Sequence, residues 1–245
     1  MHDHRCVRGG WQIQGSLLFV YGTNAQIGAY RIVETPTWLK DFFNEVLGQA
    51  GLMCSPQLVI LENARGVLGF HSTGLVAIGQ QDVLDAADAI FNMKVAPISL
   101  TPQERFRLLL DGVQIPTVEE VHREIVRAVF RIVVMHEVGH AVDQEEGRVR
   151  VGIAAERFAD SVAGTLAVRL GTNVRWEREA LLLGGCNETG CDHPASVIRV
   201  LDYDAARRAE VVAQVKKLLR MLLPPPQPVY SRGSHFGTSG GVFGC

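Results

Sequence analysis

Two histidines and a glutamate interrupt an apolar run in the middle of the chain. The stretch VVMHEVGHAVDQ, residues 133 to 144, carries His136, Glu137 and His140. Residues four apart on an α-helix lie about 40° around and about 6 Å along from each other, so both imidazoles can grip one ion. Neutral imidazoles suit Zn²⁺, and a neighbouring carboxylate can accept a proton from a metal-bound water. The spacing therefore predicts a Zn²⁺ site with His136 and His140 as ligands and Glu137 as the catalytic base.

The residues around this triplet favour the metal interpretation over an accidental match. The flanking side chains are apolar or small, and no other charged residue lies between positions 133 and 142. Isolated ionisable groups in such surroundings cost free energy unless a metal or partner groups compensate them. Polar helix residues that merely form hydrogen bonds are the alternative explanation of HExxH.

A third ligand is needed, because catalytic zinc usually takes three protein ligands and leaves one position for water. No histidine follows His140 at the short spacing of the HExxHxxGxxH pattern, since the residues there are AVDQEEGRV. A carboxylate from the following helical segment can serve, and AAERFADSVAG offers Glu156. Asp160, one turn later on the same face, is expected to hydrogen-bond the outer nitrogen of a ligating histidine. A surface carboxylate pair beside Arg157 is the alternative.

Composition limits the classes of protein to which the chain can belong. Its 245 residues are 47% hydrophobic and 20% charged, enough to bury a sizeable core. A net charge of −2 provides no general attraction to nucleic acid or acidic membranes. No stretch approaches the roughly 20 apolar residues of a membrane span, and the apolar patch at residues 17–21 is too short for a secretory signal. Five scattered cysteines are not typical of a disulfide framework. We therefore expect a soluble, cytoplasmic protein that neither binds nucleic acid nor spans a membrane.

Periodicity in the sequence predicts both helices and strands. Two β-type segments, 56–64 and 74–80, are expected to pair as antiparallel neighbours, with turn residues between them. Thr101 and Thr117 each open a predicted helix with a capping box. The predicted helices cover residues 35–50, 84–93, 101–112, 117–144, 153–171 and 194–223, the last with a possible break at residues 202–204.

One domain is expected over residues 1–223. The remaining 22 residues, 224–245, contain four prolines and five glycines. Such a composition cannot bury enough apolar surface to order itself. We predict a disordered tail there.

HEVGH followed by ERFAD resembles the HExxH…ExxAD arrangement of gluzincin zinc metallopeptidases, especially the HtpX and CAAX prenyl protease group and related soluble bacterial metallopeptidases. ENA (62–64) with GLVAIGQQDVL (74–84) resembles the strand pair before that group's active-site helix, and DHPASVIR (192–199) resembles its HP…R element. The likeness covers roughly residues 56–202. It implies an α+β fold: a mainly helical zincin-like domain with a small antiparallel or mixed sheet and an HExxH active-site helix.

The resemblance also implies a function, the zinc-dependent hydrolysis of peptide bonds. A peptide or protein substrate would extend along an edge strand near residues 75 to 80, and Glu137 would carry a proton from water to the leaving amine. His193 and Arg199 match the HP…R element and are candidate catalytic residues near the developing oxyanion. Pro194 after Asp192 is equally good helix-start chemistry, so a structural role for His193 stays open. The membrane-spanning helices of that group are absent here, so a membrane-embedded or prenylated substrate is not implied.

Three other interpretations stay open. Cys186, Cys191 and His193 could form a second zinc site, although a loop with incidental thiols explains their unusual spacing as well. The main zinc site could belong to a regulatory or binding protein with little or no proteolytic turnover. The chain could also be a metal-free helical interaction protein. The oligomeric state does not follow from the sequence.

Overall fold

The computed structural model describes residues 10–21, 26–53, 55–62, 64, 69–72, 74–95, 101–112, 114–147, 150–184 and 194–222. The strands in these ranges are β1 (Trp11–Gln14), β2 (Leu17–Tyr21), β3 (Gln26–Val33), β4 (Gln57–Leu61), β5 (Gly69–Ser72) and β6 (Leu75–Gly79). The helices are α1 (Thr37–Ala50), α2 (Gln80–Lys94), α3 (Pro102–Leu110), α4 (Val118–Glu145), α5 (Ile153–Arg169), α6 (Val174–Leu183) and α7 (Ser196–Leu222). The fold is therefore α+β with a mixed sheet, in agreement with the predicted class.

The strands form one sheet in the order β1-β2-β3-β4-β6-β5. Neighbours from β1 to β4 pair antiparallel, β4 and β6 pair in parallel, and β5 pairs antiparallel with β6. The predicted segments 56–64 and 74–80 are thus neighbours, but their predicted antiparallel pairing is wrong. The reason is β5, which lies in the predicted turn region. It forms the hairpin with β6, so β4 joins β6 from the other side and in the same direction.

Side chains alternate between the two faces of the sheet, as the pleat requires. Ile60, Val76 and Ile78 pack into the core that the sheet shares with the helices. The opposite face has its own cluster, formed by Leu18, Val20, Val59, Leu61, Ala64, Leu75 and Ala77. Because β6 is buried on both faces, its sequence LVAIG is apolar without alternation.

Helix α4 contacts α1, α2, α5, α6 and strands β5 and β6. Its capping box is present: Thr117 accepts from the Glu120 amide at 3.1 Å, and the Glu120 carboxylate accepts from the Thr117 amide at 2.8 Å. Every residue from 132 to 141 is buried. Helix α5 approaches this stretch closely, because a Cβ on Gly139 would lie 2.7 Å from the Cα of Ala159. The HExxH motif therefore lies in a buried part of the helical layer.

The other helix predictions are mostly confirmed, with two differences. Helix α6 was not predicted, although Asn173 caps it by accepting a hydrogen bond from the Arg175 amide at 3.1 Å. Helix α7 runs through residues 202–204 without the possible break, since Tyr203 is fully buried there. None of the described helices combines the length and hydropathy that crossing a bilayer requires.

The chain divides into two units, Met1–Val211 and Val212–Cys245. The first contains the sheet, helices α1 to α6 and the start of α7. The described part of the second, residues 212–222, is helical. The tail predicted over residues 224–245 lies outside the described residues, and the domain boundary at residue 223 stays a prediction.

Candidate metal centre

Three side chains from two helices converge on one point. His136 and His140 project from α4, and Glu156 comes from the first turn of α5. The Nε2 atom of His136 lies 3.1 Å from Nε2 of His140 and 3.1 Å from Oε2 of Glu156, and Nε2 of His140 lies 3.3 Å from Oε1 of Glu156. All three residues are buried. They form a group that could hold a metal ion.

The spacing and chemistry of these three potential ligand groups fit a zinc ion. Ligand atoms bound 2.0–2.1 Å from zinc in tetrahedral geometry lie about 3.3 Å apart, close to the three separations observed. Each of the three groups can offer a lone pair to the same point. Two imidazoles and a carboxylate are a donor set that zinc accepts. The three residues predicted as ligands thus lie together.

A carboxylate and a guanidinium lie behind His136. Its Nδ1 atom is 2.9 Å from Oδ1 of Asp160, to which it can donate a hydrogen bond. Arg199, from α7, donates to both carboxylate oxygens of Asp160, from Nε at 2.9 Å and from Nη2 at 2.8 Å. When His136 is neutral and Asp160 accepts its Nδ1 proton, the Nε2 lone pair faces His140 and Glu156. Asp160 thus lies at the outer nitrogen of His136, where the sequence predicted it, and its role in orienting a metal ligand stays a prediction.

Electrostatics keep Asp160 ionised. Burial raises the pKa of this carboxyl, but Arg199 and His136 outweigh burial and lower the pKa to about 2. The charged form therefore stabilises the fold above the ordinary pKa of 3.8, and this contribution is lost only as the pH falls through about 2. Burial lowers the pKa of His136, yet Asp160 and Glu156 raise it to about 10 in the metal-free protein. A metal ion must therefore displace a proton from His136.

Arg199 is buried and makes further contacts besides its hydrogen bonds to Asp160. Besides Asp160, its guanidinium donates to the carbonyl oxygen of Gly184 at 3.1 Å, and Nη2 lies 3.3 Å from Nδ1 of His136. The described contacts therefore place Arg199 on the outer side of His136, where it supports Asp160. Its predicted catalytic contact with an oxyanion stays a prediction. His193, Cys186 and Cys191 lie outside the described residues, and so does the second zinc site considered for them.

Glu137 faces strand β5. The residue is buried, and its side chain lies close to Gly69 of β5. A Cβ on Gly69 would lie 2.8 Å from Oε1 of Glu137 and 2.6 Å from Cγ1 of Val133. Only a residue without a side chain lets the strand pass this close to the carboxylate. Gly69 was predicted to be a turn residue, but it lies in β5. The signal in the sequence was a glycine inside a short apolar segment.

The strand beside Glu137 corrects one expectation about substrate. The edge strand was expected near residues 75 to 80, but β6 lies inside the sheet between β4 and β5. Among the described strands, β5 forms this edge. The pattern was misleading because β6 is the more apolar segment, and a strand covered on both sides is apolar throughout.

The connection between the two ligand helices is fixed by a second buried acid. Asp143, one turn after His140, accepts a hydrogen bond from the Arg150 amide at 3.2 Å and forms an ion pair with the Arg150 guanidinium. That guanidinium also stacks on Phe158 of α5, 3.9 Å from the ring centroid. These residues were not predicted from the sequence. They couple the end of α4 to the start of α5 and so help to set the distance between His140 and Glu156.

Comparison with protein-family models, with curated proteins and with solved structures found no match. The resemblance to gluzincins therefore stays an interpretation of the two metal motifs.

Proposed function

We propose that this chain is a zinc-dependent metallopeptidase. The observation that carries the proposal is the convergence of His136, His140 and Glu156 on one point, with Glu137 beside them in the same buried stretch of α4. This is the arrangement of three protein ligands and one general base that metal-assisted hydrolysis needs. The proposed holders of zinc are therefore His136, His140 and Glu156.

When bound, zinc lowers the pKa of a coordinated water and polarises a substrate carbonyl. The protein side chains supply the proton transfer and the positioning. Glu137 accepts a proton from the attacking water and donates it to the leaving amine, which a carboxylate within hydrogen-bond reach can do. Asp160 and Arg199 hold His136 in the tautomer that presents Nε2.

Strand β5 supports a peptide as the substrate. It is an edge strand among the described residues, and it passes directly over Glu137. An edge strand has backbone N–H and C=O groups on its outer side that an extended peptide can pair with. A peptide added to β5 would lie next to the general base, which favours peptide bonds over other hydrolysable groups.

The test compares Glu137→Gln with the wild type in metal content and in cleavage of a peptide library. We expect one zinc per chain in both proteins and a rate of cleavage at least about 100-fold lower in the variant, because general acid–base catalysis contributes about 10² to 10⁴. Glu119→Gln, an exposed change on the same helix, is the matched control and should retain both properties.

Two outcomes would overturn the proposal. Equal behaviour of Glu137→Gln and the wild type, with zinc present in both, would indicate a binding or regulatory protein. Purified protein without stoichiometric metal that also fails to take up added zinc would indicate a metal-free helical protein.

A further inference from the structure

The described part of the second unit, residues 212–222, is a helical segment with the sequence VAQVKKLLRML. Four of its large apolar side chains are about half exposed, between 48% and 56%: Val212, Val215, Leu218 and Leu219. An exposed apolar side chain is ordinary when it stands alone, but a contiguous set marks an interaction surface. We call these four residues the apolar arc.

The arc is continuous on the helix surface. Successive residues of an α-helix are rotated by about 100°, so the four side chains fall within about 120° of the circumference. Lys216, Lys217 and Arg220 occupy an adjoining arc of about 100°. We call these three residues the cationic arc. The segment is therefore amphipathic, with positive charge along one border of its apolar face.

Charge distinguishes this segment from the rest of the chain. It holds three cations and no Asp or Glu, whereas the whole chain has a net charge of −2. The total charge predicts no general attraction to acidic membranes. Residues 212–222 differ from the whole chain in this respect, because their net charge is positive. A basic amphipathic helix can lie at the boundary between lipid headgroups and acyl chains, with its apolar side towards the acyl chains.

We propose that residues 212–222 bind the surface of an anionic membrane and lie parallel to it. The apolar arc enters the boundary between headgroups and acyl chains. The cationic arc reaches the lipid phosphates, since long Lys and Arg side chains extend from an apolar surface towards polar groups. The proposal is independent of the metallopeptidase assignment, because it uses no residue of the metal centre.

Two other occupants of the apolar arc fit the charges less well. A second copy of the segment would bring two cationic arcs together with no carboxylate in either to pair with them. Residues 223–245 of the same chain also contain no Asp or Glu. A partner without negative charge leaves all three cations uncompensated, whereas a membrane rich in phosphatidylserine neutralises them.

The experiment is co-sedimentation of the full chain with vesicles. We expect binding to vesicles of phosphatidylserine and phosphatidylcholine and little binding to phosphatidylcholine alone. Replacing the cationic arc, K216Q/K217Q/R220Q, should weaken partitioning about 100-fold, or about fivefold for each cation. Leu218→Ser with Leu219→Ser should abolish it. The matched control, K40Q/R107Q/R123Q, removes the same charge from exposed positions on α1, α3 and α4 and should bind like the wild type.

Other results would overturn the proposal. Equal sedimentation with both kinds of vesicle, or none with either, would exclude an anionic membrane surface. A dimer in light scattering that Leu218→Ser with Leu219→Ser converts to a monomer would assign the arc to a second copy. Vesicle binding that appears only after removal of residues 223–245 would show that this segment covers the arc.

Discussion

The first unit contains two buried polar clusters that differ in their balance of donors and acceptors. In the Glu177 cluster, one carboxylate accepts from Tyr203 Oη at 2.7 Å, Thr172 Oγ1 at 2.9 Å and Arg131 Nε at 3.3 Å. Burial raises the pKa of Glu177, and these three donors oppose that rise. Each donor has an acceptor, so the cluster is complete within the protein.

The metal centre has the opposite balance. His136, His140 and Glu156 turn two imidazole nitrogens and a carboxylate towards one point, and the donors Nδ1 of His136 and Arg199 face away from it. Once His136 gives up its Nε2 proton, three acceptors face each other, and this is a set that a cation could join. The two clusters show that burial of charged groups alone does not indicate a metal site. What distinguishes the candidate metal centre is the convergence of several potential acceptors on one point.

The largest loss of stability is expected when the acceptor of the Glu177 cluster is removed. Glu177→Ala removes the shared acceptor of Tyr203 and Thr172, whereas Arg131 keeps its ion pair with Glu124. We expect the free energy of unfolding to fall by about 3–5 kcal/mol. Zinc stoichiometry in the folded fraction should not change, because none of these residues contacts the metal ligands in the described contacts. Urea unfolding and metal analysis measure the two quantities, with Glu119→Ala as the exposed control. A loss of zinc from folded Glu177→Ala would show that the two clusters are coupled.

A smaller effect, on zinc affinity, is expected when Asp160 behind His136 is changed. Asp160→Asn keeps an oxygen that can accept from Nδ1 of His136 but removes the charge that pairs with Arg199, so zinc affinity should fall about 10- to 100-fold. Competition with a chromophoric chelator measures it. Asp202→Asn is the control: it removes the charge that pairs with Arg157 between α5 and α7, the helices that carry Asp160 and Arg199. Zinc affinity should stay within about twofold of the wild type. Equal affinities of Asp160→Asn and the wild type, both folded by circular dichroism, would contradict the role of Asp160.

The parts of the metal centre that the sequence predicted depend on short spacings along helices. His136 and His140 are one turn apart on α4, and Glu156 and Asp160 are one turn apart on α5. Helical geometry alone puts each pair on one face. The capping box at Thr117 likewise needs only residues three apart. Local patterns of this kind can be recognised without knowing the fold.

What the sequence did not predict depends on residues that are distant in the chain. The Glu177 cluster joins α4, α6, α7 and the segment before α6, and no local spacing relates its members. The parallel pairing of β4 with β6 depends on where β5 inserts, and β5 has only four residues in a glycine-containing segment. Short strands lack enough alternation to be distinguished from turns. Pairing partners and buried networks therefore had to come from the three-dimensional arrangement.

Replacing Gly69 tests whether Glu137, the proposed base, can be displaced while the candidate metal ligands stay in place. In Gly69→Ala the new methyl group would lie 2.6 Å from Cγ1 of Val133 and 2.8 Å from Oε1 of Glu137, so both side chains must shift by a few tenths of an ångström or more. The metal ligands His136 and His140 do not appear among the atoms nearest to that methyl group. We therefore expect unchanged zinc content and a kcat about tenfold lower at similar KM, because small misplacements of a catalytic group reduce the rate strongly. Gly28→Ala on β3, whose methyl group would lie nearest to the ring of Tyr30, is the matched strand-glycine control. Should Gly69→Ala lose zinc and activity together, the strand would be supporting the whole site and not the position of its base.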